Sequence, residues 1–344
     1  MNAAPADLRR WLTARLMALC AAETTSGQED VGLPVLRELL RELGATLVEQ
    51  AVADGRTNLL ALWGRPRVLF STHLDTVPPY FLPRIEGEAL IGRGACDAKG
   101  QIVAQLAAVK TLLDEGREGL AWLGVVGEET DSAGASAALG LADHLQELKV
   151  LINGEPTELK LATGQRGVQH LRLACEGRAA HSGSPGLGHN ATWPLLDWLQ
   201  RLREQPRPVD GLLGPELWNL GLLQAGEALN SVPAKAEAHL MARTVPGSTL
   251  LEEVRRLAPP EGSVDLRLDE PADLYPPVPG FDLSPMPFGS DAPTLRALVR
   301  DRTVVLAGPG SITVAHTLDE RLTLTDLEAG VDLNRRLALH FLGD

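Results

Sequence analysis

Positive charge is scarce in this chain. Lys and Arg number 32 against 45 Asp and Glu, giving a net charge of -13. A nucleic-acid surface needs a basic stripe, so this balance argues against one. Cysteine is scarcer still, with three widely spaced residues, Cys20, Cys96 and Cys175. They form neither a disulfide framework nor a Cys-x-x-Cys zinc pattern, which fits a reducing cytosol. No apolar run approaches the length of a membrane span. Met1 to Ala22 lacks a long apolar core followed by a small-residue cleavage site. Its Leu8, Trp11, Leu12, Leu16 and Leu19 follow helical spacing instead. Internal repeats and low-complexity segments are also lacking. These absences predict a cytoplasmic protein with neither nucleic acid nor membrane as a partner. What is there is 344 residues with 44% apolar content, enough for one large domain or two modest ones.

The first half alternates strand and helix signals. A stripe of Leu36, Leu39, Leu40 and Leu43 stops at Gly44, a fitting C-terminal cap. Short apolar runs follow at residues 58–63, 67–71, 120–126 and 149–152. Between them lie a helix over 100–113 and a shorter one over 133–141. Such alternation predicts a mainly parallel sheet covered by helices. From about Gly164 the texture changes. Strands at 168–175, 217–223, 236–243 and 264–268, with helices at 190–203 and 249–257, predict a separate antiparallel, ferredoxin-like α+β domain. Prolines 271, 276, 277 and 279 mark the return crossing. A strand at 304–307 and a helix at 325–341 then rejoin the first domain.

Polar residues suited to metal chemistry fall just after the strands of the first half. They are His73-Leu-Asp75, Asp97 in a Gly-rich turn, Glu128-Glu129 and Glu155 before Pro156. A fifth segment, His316 to Glu320, follows a Gly-Pro-Gly turn near the C-terminus. In open α/β sheets, sites form at the carboxyl ends of strands, so one place could collect them all. Two His and three carboxylates are what a pair of zinc ions takes when one carboxylate bridges them. Each segment alone has a bland reading: Asp97 as a helix N-cap, Glu128-Glu129 as a solvated acidic loop. Together they favour a site, because two adjacent carboxylates after an apolar strand repel unless a cation or shared proton relieves them. Adjacent residues also point apart, which assigns Glu129 as ligand and Glu128 as proton carrier. Asp75 suits holding the second ring nitrogen of His73. His144, His170, His239 and His340 are read as structural or exposed.

These residues, in this order, resemble the zinc aminoacylase and metallopeptidase family that includes acetylornithine deacetylase, succinyl-diaminopimelate desuccinylase, aminoacylase and glutamate carboxypeptidase. The resemblance runs from Thr25-Ser-Gly to Glu320. It implies an α/β zinc-exopeptidase catalytic domain over 1–163 and 272–344, with an inserted ferredoxin-like lid and dimerisation domain over 164–271. It implies two zinc ions per chain, with cobalt or manganese as substitutes. One would sit on His73, Asp97 and Glu155, the other on Asp97, Glu129 and His316, with Asp97 bridging. Glu128 would move the proton. His181, in Ala180-His181-Ser-Gly-Ser-Pro185, would reach a partner subunit's site and stabilise the oxyanion. Asn230 and Arg243 match substrate contacts, and Ser290 in Gly289-Ser290-Asp291 resembles a further substrate loop. Arg166 and Arg243 are candidates for gripping a substrate carboxylate. One departure is the short stretch between Asp75 and Gly92, where many members carry a longer insert.

The function these readings predict is hydrolysis of the amide bond of an N-acyl amino acid, of the acetylornithine deacetylase type, by a homodimer. Desuccinylation, release of lysine or ornithine from a carrier protein, and dipeptidase or carboxypeptidase activity are the alternatives. A non-catalytic ligand-binding protein on the same scaffold is the alternative from another class.

Overall fold

The computed structural model describes residues 5–301 and 303–343. The described residues fall into two compact units. One comprises Met1–Thr163, Tyr275–Ser284 and Ser290–Asp344, and the other Gly164–Leu274 and Pro285–Gly289.

The first unit is built on a six-stranded sheet. Its strands are β1 (Thr46–Ala51), β2 (Thr57–Trp63), β3 (Val68–His73), β4 (Leu120–Val125), β5 (Val150–Asn153) and the late segment Val304–Leu306. Their order across the sheet is β1-β2-β4-β3-β5 and then Val304–Leu306. The last four are mutually parallel, while β1 and β2 run antiparallel at one edge. The sheet is therefore mainly parallel, as the sequence predicts, with an antiparallel edge it does not. Strands β3, β4 and β5 are buried at every position, because helices cover both faces, and so they read as continuous apolar runs.

Four long helices pack around this sheet: α1 (Pro5–Cys20), α2 (Leu33–Glu42), α3 (Lys99–Asp114) and the C-terminal helix Leu324–Leu342. Leu36, Leu39 and Leu40 of α2 are buried, and the helix is followed by Gly44 at φ +71, a left-handed position that glycine takes freely. Helix α3 is buried along most of its length. Small residues permit this. A Cβ at Gly100 would lie 2.6 Å from the Leu322 side chain. The expected helix over 133–141 is an α-helix at Ala133–Ala138 that tightens into a 3₁₀ turn at Leu139–His144.

The second unit is a β-α-β-β-α-β fold. Strand β6 (Gly167–Glu176) leads to α4 (Thr192–Arg203), then β7 (Leu217–Ala225), β8 (Lys235–Thr244), α5 (Leu250–Leu257) and β9 (Gly262–Glu270). The order β7-β8-β6-β9 is antiparallel throughout, a ferredoxin-like sheet. Alternate residues of β8 (Ala236, Ala238, Leu240, Ala242) are buried with Leu171, Leu173, Leu195, Trp198, Leu202 and Val254. That period of two is the alternation visible in the sequence. Edge strand β7 exposes Leu217, Leu220, Leu222 and Leu223.

Candidate metal centre

His73 is the last residue of β3, and the strand's hydrogen bonding aims its ring. Its Nε2 lies 2.9 Å from Asp97 Oδ1. Its Nδ1 lies 3.0 Å from the backbone carbonyl of Asp75 and 3.5 Å from that residue's carboxylate. The carbonyl is thus the nearer acceptor for the second ring nitrogen, and the carboxylate that the sequence suggests stands beside it and still favours the charged ring. The Asp75 carboxylate has other work. Oδ1 accepts from the Glu128 N–H at 3.1 Å, and Oδ2 accepts from Ser26 Oγ at 2.7 Å and from the Glu129 N–H at 3.1 Å. Asp75 therefore fixes the backbone of both glutamates.

Asp97 sits in the turn that opens α3, next to a cis peptide to Ala98. Its N–H and that of Cys96 donate to Glu320 Oε1 at 3.0 and 3.1 Å. Glu320 is fully buried, and its Oε2 accepts from Arg93 Nη1 at 2.6 Å. The Gln101 amide donates to the carbonyls of Cys96 and Pro309 at 3.0 and 2.8 Å. His316 approaches from the other side, with Nε2 at 3.0 Å from Glu129 Oε1 and 3.4 Å from Asp97 Oδ2. Its φ of 61 is left-handed, a conformation that clusters at functional sites in residues other than glycine. Glu155 follows β5, where Thr72 Oγ1 donates to the Gly154 carbonyl at 2.8 Å and the Gly154 N–H donates to Ser71 O at 2.7 Å.

Donor atoms of His73, Asp97 and Glu129 lie within 4.8 Å of one another. The hydrogen bonds of His316 join it to the same cluster. Glu155, 4% exposed, belongs to the same electrostatic neighbourhood. Burial pushes its carboxyl well above the ordinary range, with Asp97, Glu129 and Asp291 adding repulsion against the attraction of His73. Glu128 is raised well above its ordinary value in the same way, by burial first, then by Glu155, Asp291 and Glu129 opposing His73. Burial alone would lower the His73 imidazole, but Asp75 and Asp97 outweigh it and hold the ring well above its usual value. Hydrogen bonds to Asp97 and Glu129 lift His316 to about 10. The carboxylates of Asp75, Asp97, Glu128, Glu129, Glu155 and Asp291 crowded around two imidazoles are costly without a compensating cation. Imidazole nitrogen and carboxylate oxygen are the donors that zinc, cobalt and manganese accept, so the residues fit a metal centre.

Four of the remaining candidates are in the second unit and one is in the first. The exposed His181 accepts at Nδ1 from the Gly183 N–H at 3.1 Å, which puts the neutral ring's proton on Nε2. Asn230 is exposed, and its carbonyl accepts from the Ser182 N–H at 2.9 Å, tying the two loops together. Arg243 is half-buried on β8 and makes no ion pair among the described residues. Arg166 donates twice to the Leu213 carbonyl, at 2.6 and 3.1 Å, so its guanidinium is committed in part to holding a loop. Ser290, in the first unit, is 4% exposed, and its Oγ accepts from the Ala292 N–H at 3.3 Å. The motifs gave no role to Glu320, Arg93 or Ser26. Glu320 was visible only as the end of the His316 segment, and its pairing with Arg93 spans 227 positions.

The fold and this cluster of donors define a metallopeptidase of the α/β type with an inserted antiparallel domain. The model of peptidase family M20/M25/M40 matches residues 69–340, and the chain belongs to that family. It is a hydrolase by that membership. The chain is 35% identical over 347 residues to a probable carboxypeptidase of Aspergillus clavatus, covering 90% of this chain and 83% of that protein. A tripeptidase from Staphylococcus aureus superposes with a TM-score of 0.81 at 18% identity, covering 97% of this chain and 99% of that one. An M20 metallo-carboxypeptidase from Sulfolobus solfataricus does so at 0.76 and 18%, covering 96% and 99%. No comparison singles out the acetylornithine deacetylase or desuccinylase branch.

Proposed function

We propose that this protein hydrolyses an amide bond adjoining a free amino-acid carboxylate, as a carboxypeptidase or dipeptidase, with two divalent ions held by His73, Asp97, Glu129, Glu155 and His316. The observation that carries this reading is the convergence of His73, Asp97, Glu129 and His316 within ligand distance, with Glu128 beside them. The names of the relatives move peptides ahead of N-acetylornithine as the expected substrate class.

When bound, the ions lower the pKa of a water molecule toward roughly 7 and polarise the scissile carbonyl. The chain supplies the rest. Glu128, whose backbone is pinned by Asp75, takes the proton of the attacking water and returns it to the leaving nitrogen. His181, with its proton on Nε2, is the donor for the oxyanion, in the manner the family resemblance implies across a dimer. Arg243, with no carboxylate partner of its own among the described residues, is the better candidate to grip the substrate carboxylate. Arg166 is the weaker, because part of its donor fork is already spent on Leu213. The apolar, exposed edge of β7 supports pairing with a second copy, since an open strand of leucines invites another chain.

The test is amine release from a panel of dipeptides, longer peptides, N-acetylornithine, N-succinyl-diaminopimelate and a carrier protein bearing lysine or ornithine. Ion-depleted protein and protein restored with zinc, cobalt or manganese run in parallel. Ion-restored cleavage of a peptide supports the reading. Cleavage confined to an N-acyl amino acid or to the carrier protein overturns its substrate class. Silence across the panel from protein holding two ions per chain overturns the catalytic reading in favour of a binding role.

A further inference from the structure

The turn that carries Glu128 and Glu129 is gripped from two sides. On one side is Asp75, already described. On the other is Arg56, the residue before β2, which is only 6% exposed. Its guanidinium makes a forked pair with Asp131, Nη2 to Oδ2 at 2.9 Å and Nη1 to Oδ1 at 3.3 Å, and its Nε donates to the Ala53 carbonyl at 3.3 Å. Glu29, 1% exposed, lies 3.8 Å from Nη1. The turn closes on the Gly127 carbonyl, which accepts from the N–H groups of Thr130, Asp131 and Ser132 at 3.2, 3.0 and 2.7 Å. Gly127 itself has φ +78, and a Cβ there would stand 2.6 Å from Arg56 Nη1 and 2.5 Å from Asp131 Oδ1. The arginine thus occupies the space a side chain at residue 127 would need, just before Glu128.

We propose that Arg56 is a positioning residue for the metal centre, bracing the Gly127–Ser132 turn through Asp131 so that Glu129 faces the ions and Glu128 faces the attacking water. The part concerning Glu128 rests on the function proposed above, while the part concerning Glu129 requires only that ions bind. The physical reason is directional. Asp75 holds the N–H groups of residues 128 and 129 but cannot stop the turn from rotating about them. A second attachment three residues from Glu128 removes that freedom. A fork of two N–H donors to one carboxylate fixes orientation, which a single ammonium does not. Glu29 lies 3.8 Å from the same guanidinium.

The experiment compares Arg56→Lys, Arg56→Gln and the double variant Arg56→Met with Glu29→Gln, which removes the arginine together with the buried carboxyl that lies 3.8 Å from it. Ion affinity is read by titration against a competing chelator, and the ligand field by the absorption spectrum of the cobalt-loaded protein, both without substrate. Support for an outer ligand is worth about 10–100-fold in ion affinity or activity. The expected result is that Arg56→Gln weakens one of the two ions by that factor and shifts the cobalt spectrum. The maximal rate falls comparably while KM changes little. Arg56→Lys falls between, and the double variant is stable yet still defective. Parental affinity, spectrum and rate in the folded double variant would overturn the proposal, leaving Arg56 a merely structural partner of Glu29. Glu129→Ala is the control. If it leaves ion affinity unchanged, Glu129 is not a ligand, and the part of the proposal that aims Glu129 at the ions is overturned with that assignment.

Discussion

Loading the centre with divalent ions should expel about two protons per chain at neutral pH. The two histidines supply these protons. In the ion-free protein, His316 is lifted to about 10 by hydrogen bonds to Asp97 and Glu129. Burial works against the charge on His73, but Asp75 and Asp97 hold it well above its ordinary value. Both nitrogens of His73 face oxygen acceptors, an arrangement that a doubly protonated ring satisfies, and a ring that binds a cation must lose its second proton. The side chain of His316 is half exposed, so solvent screening trims its shift, yet half of that shift still leaves it charged at pH 7. A raised ion-free pKa means protons compete with the ion at low pH, and the competition ends above about 10. Affinity for the ion on His316 should then rise by up to roughly tenfold per pH unit above neutrality, about 1.4 kcal/mol each. Glu155, pushed up by burial, adds a further proton if it is charged only on ligation. Calorimetric titration at pH 7 in buffers of different ionisation enthalpy reads the number as a slope. A slope near zero would refute the placement of ions on His73 and His316.

Glu128→Ala should keep both ions and lose about 10²–10⁴ in maximal rate; a variant turning over at near-parental rate, assayed alongside its ion content, sinks its role as proton carrier. His181→Ala should lower the maximal rate with ion occupancy unchanged. Mixing it with Glu128→Ala should regenerate activity in hybrid dimers, and no regain would end the trans-subunit reading. Glu320→Ala leaves the Arg93 guanidinium buried without its 2.6 Å partner. It should cost about 3–5 kcal/mol in urea unfolding, and an unshifted midpoint would show the pair to be dispensable.

The parts of this molecule legible in its sequence are those with a local signature. Strands β3, β4 and β5 announce themselves as unbroken apolar runs because both their faces are covered. Strands β6 and β8 do so by alternation, because only one face packs on helices. Strand β1 has neither mark. It is six residues long, half exposed and charged at Glu49, and only its register against β2 makes it a strand. The short strands Arg84–Glu86, Ala89–Ile91 and Arg321–Thr323 are missed for the same reason. At the site the donors were legible because strand ends and glycine turns place them. Their supports were not, since a buried Arg or Glu has no period. Arg56 meets Asp131 across 75 positions. Nothing local to either residue tells that pair from two surface charges.

That division has an energetic consequence. The supports of the donors are themselves acidic: Asp75 behind Glu128 and Glu129, Glu320 behind Asp97. Each such support satisfies backbone N–H groups at the cost of more negative charge beside an already crowded cluster. Arg93 and Arg56 offset part of it, the first through Glu320 and the second through Asp131. Neither touches the donors, so their mutual repulsion is left for protons or a cation to relieve. Cations should accordingly stabilise the fold. Free ion at about 100 times its dissociation constant adds roughly 2.7 kcal/mol if the unfolded chain does not bind it. For a domain of some 150–250 residues that is on the order of 5–11 °C in Tm. The gain should shrink as pH falls and the rings and carboxylates take up protons. Scanning calorimetry of ion-depleted and ion-restored protein at pH 8 and pH 6 reads both effects. An equal Tm with and without ions at pH 8 would mean that the carboxylates are reconciled by something other than a metal.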